Sequence, residues 1–331
     1  MTARAAGLYL DRDVTEKAEG CPMERQEFHS FLARLSCVTG TFDVVPVKRT
    51  ATCGRQRRMR PGFMVHSLFG MGLRSAACRQ EPPCEKSCGK PAECAWGLLM
   101  EPCPPKASVP LSRVARVPAP VVIEAPWDLW HPGHPLRFRM HLLGNAARWN
   151  GMVEEALLEG FSAGVGEPRR PAAFVCSGWI ERRPASAGQA AERNGDSARV
   201  RLEFQTPIRL VRNGRELAEF DLASLVRDLT FRLAVWGHLY EGLAWPPVWW
   251  FLWEDAARTR MARSNIRTVS FHRYSGRQDR VIPMKGLLGA VELQSVSADL
   301  LALFRFGEVC GVGKGASIGL GRITLGKRIT L

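Results

Sequence analysis

An α+β fold is predicted by three observations on this 331-residue chain. Apolar residues alternate at strand spacing in short runs, recur at helical spacing in separate longer ones, and follow one another in an ordered series along the second half. Leu136–Leu143 reads as a strand. Ala146–Glu159 is helical, with Trp149, Val153, Ala156 and Leu157 on one face. Ala172–Glu181 is a strand, and Arg199–Leu210 alternates at Val200, Leu202 and Phe204. Leu222–Tyr240 is a helix with an apolar stripe at Leu225, Leu229, Leu233 and Trp236. Ile282–Leu293 is a strand, Ala298–Phe306 a helix, and Arg322–Leu331 a closing strand. Strand–helix–strand–strand–helix–strand is the ferredoxin-like order.

The first half carries the same order in weaker form. Phe31–Val47 reads as a strand or hairpin. Phe63–Cys78 is helical, and its Gly70, Gly72, Ala76 and Ala77 would let it pack close to a sheet. Pro118–Ala125 is a short strand. Cys78–Pro105 is too rich in Cys and Pro for regular structure. The expected division is therefore 1–133 and 134–331, with a Cys-rich loop inserted in the first domain.

Hydrophobic residues make up 46%, enough for a sizeable core, and the net charge of +14 favours an anionic partner. Met1–Asp13 lacks the apolar run of a secretory signal, and Leu243–Trp253 is too short to span a bilayer. No membrane association is expected and a cytoplasmic location is. Ten cysteines in such a chain read as reduced thiols or metal ligands.

Charge is concentrated in two places. Lys48–Arg60 holds six basic residues, among them Arg55, Arg57, Arg58 and Arg60, with no acid. Arg258, Arg260, Arg263, Arg267, Arg273, Arg277 and Arg280 form the second cluster, in which Asp279 is the only acid. A solvated helix face would alternate the two signs. Double-stranded RNA is read through phosphates and shape, which suits such a cluster.

Gly311–Gly321 carries five glycines in eleven residues, with Lys314 and Ser317 among them. Exposed amides at Gly313, Gly315 and Gly319 together with Lys314 would cradle phosphate oxygens. The spacing does not fit a Walker loop. Only ten residues follow Gly321, so no long dinucleotide-binding helix follows either. In a basic protein, such a loop before a terminal strand points to a polynucleotide backbone.

Cys78, Cys84, Cys88 and Cys94 place four thiols within seventeen residues. They would hold one structural zinc tetrahedrally, or form a reduced loop; no histidine or carboxylate motif accompanies them to suggest catalytic zinc. Trp245, Trp249, Trp250 and Trp253 read as packing in preference to a base-stacking platform.

Three blocks carry a resemblance. The first is Arg273-Tyr274-Ser275-Gly276-Arg277-Gln278, Met284-Lys285-Gly286-Leu287-Leu288-Gly289, Phe306-Gly307-Glu308 and the glycine run. The second is Ser67–Cys78 with the cysteines and Leu99-Met100-Glu101-Pro102. The third is Leu136–Leu143 with its following helix. In this order they resemble the CRISPR-associated endoribonucleases that process precursor CRISPR RNA, within the RAMP superfamily.

The resemblance implies two tandem ferredoxin-like domains and a basic face that grips a repeat hairpin. It implies cleavage at the hairpin's base by 2′-hydroxyl attack, without a catalytic metal, and retention on the product beside other effector-complex subunits. A RAMP-type RNA-binding scaffold without cleavage is the alternative. It also implies a histidine in the N-terminal half as general acid or base, for which His66 stands first and His29 second. His131, His134 and His141 read as structural or linker residues, His238 as core, and His272 as facing RNA. A rival site pairs Tyr274 with Arg273, the arginine neutralising phosphate because its pKa, above about 12, forbids base work.

Overall fold

The computed structural model describes residues 22–46, 59–78, 94–104, 108–112, 114, 116–131, 134–164, 174–181, 198–212, 214–275 and 279–326. The first part of the chain runs α1 (Pro22–Ala33), β1 (Cys37–Pro46), α2 (Pro61–Ala77), α3 (Ala95–Met100), β2 (Val121–Glu124), β3 (Leu136–Leu143), α4 (Asn150–Ser162) and β4 (Phe174–Glu181). Then follow β5 (Ala198–Ile208), β6 (Val211–Arg212), β7 (Arg215–Glu216), α5 (Leu222–Val235), α6 (Trp250–Arg258), β8 (Arg260–Ser264), β9 (Arg267–Ser275), β10 (Arg280–Val296), α7 (Ala298–Cys310) and β11 (Ile323–Leu325).

The two main antiparallel sheets are ordered β2-β3-β1-β4 and β11-β5-β10-β8, and β6 and β7 form a separate pair. Each main sheet threads strand–helix–strand–strand–helix–strand, so the ferredoxin-like order is present twice. The expected boundary at 133/134 is corrected. Val121↔Leu142 and Glu124↔Arg139 are partners across it, and β4 pairs with β1, so the first unit extends to Glu181. The strand and helix read from 136 to 181 are its second half, and the second unit begins at β5.

Phe28, Phe31, Leu32 and Leu35 recur at helical spacing and are buried. Phe31 therefore belongs to the α1 helix, and the strand expected from Phe31 starts at Cys37. This helix packs in the core of the second unit, where Trp249 stands edge-on to Phe28 and Phe31 at 5.2 and 5.4 Å. Packing is thus the role of Trp249.

The small residues of α2 serve a helix and not a sheet. A Cβ on Gly72 would lie 1.9 Å from the Ala156 carbonyl oxygen of α4. In the second unit, α5 is capped by Asp221, which accepts from Ser224 N at 3.0 Å, and α7 by Ser297, which accepts from Leu300 N at 3.1 Å. Strand β9 extends the edge begun by β8; it pairs with the first half of β10 from Ser275↔Arg280 to Arg267↔Leu288. No helix among the described residues is long and apolar enough to cross a membrane.

Candidate functional site

The two units meet at the glycine run. Helix α2 begins with Pro61, whose missing N–H is no loss at a first helical position. Gly62 then lies directly against Gly319: a Cβ on either would be 2.7 Å from the other's Cα. One turn on, His66 Nδ1 is 3.0 Å from the Ser317 carbonyl oxygen. A carbonyl only accepts, so Nδ1 carries the hydrogen and Nε2 keeps its lone pair. Around this contact Phe271, Met284, Ile318 and Leu320 form a small core joined by Phe63 and Trp127.

Burial first, and then the positive charge of Arg273, bring the His66 pKa from 6.5 down to about 3 against the opposing pull of the Ser317 bond. The imidazole is therefore neutral near pH 7. Its free nitrogen is a proton acceptor, and the cation beside it is suited to a phosphate.

Strand alternation separates the two members of the rival site. Arg273 pairs with Ile282 and shares the inner face of the β9–β10 hairpin with Phe271; Tyr274 pairs with Val281 on the outer face and is 58% exposed. Its hydroxyl donates to Asp279, and that bond raises its pKa. The structure thus joins Arg273 to His66 and leaves Tyr274 out.

The glycine loop is largely packed against the protein. Gly313 and Gly319 are buried, and the loop's amides are largely used within the protein. Gly313 N donates to Asp228 at 2.6 Å, Lys314 N to the Arg209 carbonyl at 2.9 Å, and Gly321 N to the Pro207 carbonyl at 3.0 Å. Gly313 and Gly319 take positive φ, and a Cβ on Gly313 would sit 2.6 Å from the Arg209 oxygen. Close backbone packing is what demands glycine there. Lys314 is exposed, and Gly315 and Ser317 are half-buried.

Arg60 is also used internally. Its guanidinium lies 3.8 Å from the Trp127 ring centre and donates to the Trp127 carbonyl. Arg263 and Arg267 are exposed on the β8–β9 edge. Arg267 is six residues from Arg273, about 20 Å along the strand. Arg55, Arg57, Arg58 and Arg277 lie outside the described residues, as do Cys84 and Cys88. Cys78 closes α2 and Cys94 opens α3, so these two thiols frame the segment between them. Among the described residues no group of three or more His, Cys, Asp or Glu is placed to hold a metal ion.

Two features of the seam went unread in the sequence. Glu124 on β2 forms ion pairs with Arg139 and, across the units, Arg322, and lies 3.2 Å from His141 Nε2. Burial pushes its carboxyl up, but the His141 and Arg139 bonds and the Arg322 charge outweigh this and hold it at about 2. A cleft of about 370 Å³ opens beside Lys314 and Ser317, lined also by Arg116, Arg209 and Phe231. No spacing signal marks residues from so many separate elements.

Two ferredoxin-like units, one clasping the other's histidine-bearing helix with a glycine loop, define a tandem ferredoxin-like protein. Solved structures share this fold. A Cas6 product complex aligns with TM-score 0.51 and 15% identity over 87% of this chain and 99% of that one. Thermus thermophilus Cas6 aligns with TM-score 0.51 and 14% identity over 88% and 98%. Residues 47–184 match a model described as the AF_1859 N-terminal domain, and residues 202–323 match the model of the CRISPR-associated endoribonuclease Cas6. No curated protein matches the chain in sequence. The likeness to the CRISPR-associated endoribonuclease Cas6 thus lies, in sequence, in the C-terminal unit.

Proposed function

We propose that this protein cuts CRISPR repeat RNA at the base of its hairpin by internal attack of a 2′-hydroxyl, without a catalytic metal. The observation that carries the reading is the seat of His66: hydrogen fixed on Nδ1 by Ser317, lone pair on Nε2, Arg273 alongside. His66 Nε2 takes the proton of the 2′-hydroxyl as its oxygen bonds to phosphorus. The bond from phosphorus to the 5′-oxygen breaks, and that oxygen takes a proton from water, which the protonated His66 then replaces. A 2′,3′-cyclic phosphate and a free 5′-hydroxyl result.

Arg273 neutralises the phosphate through the reaction. The incoming phosphate also offsets the arginine charge that keeps His66 unprotonated, so substrate itself makes the histidine a better base. Exposed Lys314, Arg263 and Arg267 supply cations for the strand and the stem, with Arg55, Arg57, Arg58 and Arg277 in the same role. The protein stays on the processed RNA as a subunit of an effector complex. Cys78, Cys84, Cys88 and Cys94 hold a structural zinc in this reading.

The test is a cognate repeat hairpin with a single 2′-deoxy nucleotide at the cut position, incubated in EDTA beside the all-ribose RNA. The ribose RNA is cut to a cyclic phosphate, and the deoxy RNA is bound and left intact. Cutting of the deoxy RNA refutes the chemistry.

A second reading is favoured by the burial of the same side chain. A half-buried histidine bonded to Ser317 also works as a tie between units, as in an RNA-binding scaffold without cleavage. In that case both RNAs are bound and neither is cut.

A further inference from the structure

We infer that the cleft beside the glycine loop is a nucleotide subsite: it seats one unpaired base of the RNA on Phe231 and holds the adjoining phosphates with Arg116, Arg209 and Lys314. The inference rests on the RNA-processing reading and adds to it a position where a single base is gripped.

The wall of the cleft is built in advance. Helix α5 buries Leu225, Leu229 and Leu233, which turns Phe231 outward with Arg227 and Asp228. Asp228 accepts from Gly313 N at 2.6 Å and from Arg232 Nε at 3.1 Å; Arg232 in turn donates to the carbonyls of Cys310 and Gly313. The loop is thereby clamped to the helix. No further ordering is needed for a ligand to meet the wall.

The lining matches one chemistry. Phe231 is 37% exposed, an unusual setting for a ring, and Met100 and Pro118 complete an apolar floor. Arg116, Arg209, Arg232 and Lys314 line the cleft too, against two carboxylates, Glu101 and Asp228, the second already engaged by Gly313 N and Arg232. Arg116 and Lys314 are exposed. Arg209 pairs with Glu216, yet its Nε is buried with no hydrogen-bond partner among the described residues. An exposed aromatic ring with cations in the same cleft suits a base and its phosphates, since any base has a π-face to stack. The volume of about 370 Å³ is within the small-ligand range.

Location gives the subsite its meaning. Ser317 lines the cleft, and its carbonyl oxygen holds His66. A nucleotide in the cleft is thus a near neighbour of the one being cut. Seating it would fix the register of the strand at the histidine, an orientation effect.

The experiment is an abasic scan on the full-length protein. Cognate repeat RNA, protected by a 2′-deoxy nucleotide at the cut site, is made abasic one unpaired position at a time, and affinity is measured for wild type and Phe231→Leu. We expect one position whose abasic form binds wild type about tenfold more weakly, the scale of one stacked base. That loss should vanish in Phe231→Leu and persist in Phe231→Trp, while losses elsewhere are unchanged. Arg116→Ala, at an exposed position that tolerates change, should lower the salt slope by about one.

Identical abasic losses in wild type and Phe231→Leu, or an unchanged salt slope in Arg116→Ala, overturn the subsite. All-ribose RNA still cut in that case leaves the parent reading standing. Repeat RNA that does not bind wild type at all overturns both.

Discussion

Gly62 and Gly319 touch backbone to backbone: a side chain on either would begin 2.7 Å from the other's Cα. This contact sets helix α2 against the glycine loop and brings His66 to Ser317. Gly319 also has φ +83, which L side chains disfavour. Gly319→Ala should therefore destabilise the protein by about 1–3 kcal/mol, the range for overpacking, and loosen the seam. Thermal unfolding checks this. A folded Gly319→Ala variant with unaltered melting temperature would show that the contact is not needed.

Tyr274 should be dispensable for chemistry. It lies on the opposite face of β9 from Arg273, and Asp279 occupies its hydroxyl. Tyr274→Phe should cut within about threefold of wild type, well short of the 10²–10⁴ lost with a general acid or base. Single-turnover cleavage decides it; a dead Tyr274→Phe would restore the arginine–tyrosine site.

His66 makes stability depend on pH with a definite sign. Unfolded, it titrates near 6.5; folded, near 3. Below pH 6.5 the unfolded chain takes up a proton that the folded chain refuses. The contribution is thus full above about 6.5 and is lost as the pH falls toward 3. Because Arg273 contributes to the depression, Arg273→Ala should raise the folded pKa and narrow this window. Melting temperature against pH, for wild type, His66→Gln and Arg273→Ala, tests the ordering.

Glu124 acts in a lower window. Its carboxyl, held at about 2 against an ordinary 4.5, stabilises the fold above about 4.5, and this is lost as the pH falls through 2. Glu124→Gln should cost about 3 kcal/mol at neutral pH, the low end for breaking a buried pair, because Arg139 and Arg322 keep partial access to solvent. Denaturant unfolding measures it. A cost below 1 kcal/mol would mean the cross-unit pair carries little.

The cysteines offer a test independent of the seam. Protein purified without chelator should hold about one zinc per chain, bound by Cys78, Cys84, Cys88 and Cys94. Protein free of zinc with all four thiols reactive would favour the plain loop.

Much of this architecture was legible in the sequence because apolar period reports burial directly. β3, β5, α5 and α7 were found this way, and the glycine run marked the loop that builds the site. The pairing of strands was not legible. Nothing local says that Val121 lies beside Leu142, so the boundary was set within a sheet. Strands β8 and β9 were missed because they form an exposed edge: all five residues of β8 face solvent, leaving no apolar alternation to read. His66 and Arg273 were each singled out, but their meeting depends on how two units dock. The same holds for the glycines. Their spacing announced a special backbone, and only the fold shows that Gly62 is what approaches Gly319.

The measurement closest to the central claim is single-turnover cleavage of a cognate repeat hairpin in EDTA by His66→Ala. The account predicts a rate about a hundredfold or more below wild type, the scale for a lost general base, with RNA affinity little changed. A His66→Ala protein that cuts at the wild-type rate would contradict it.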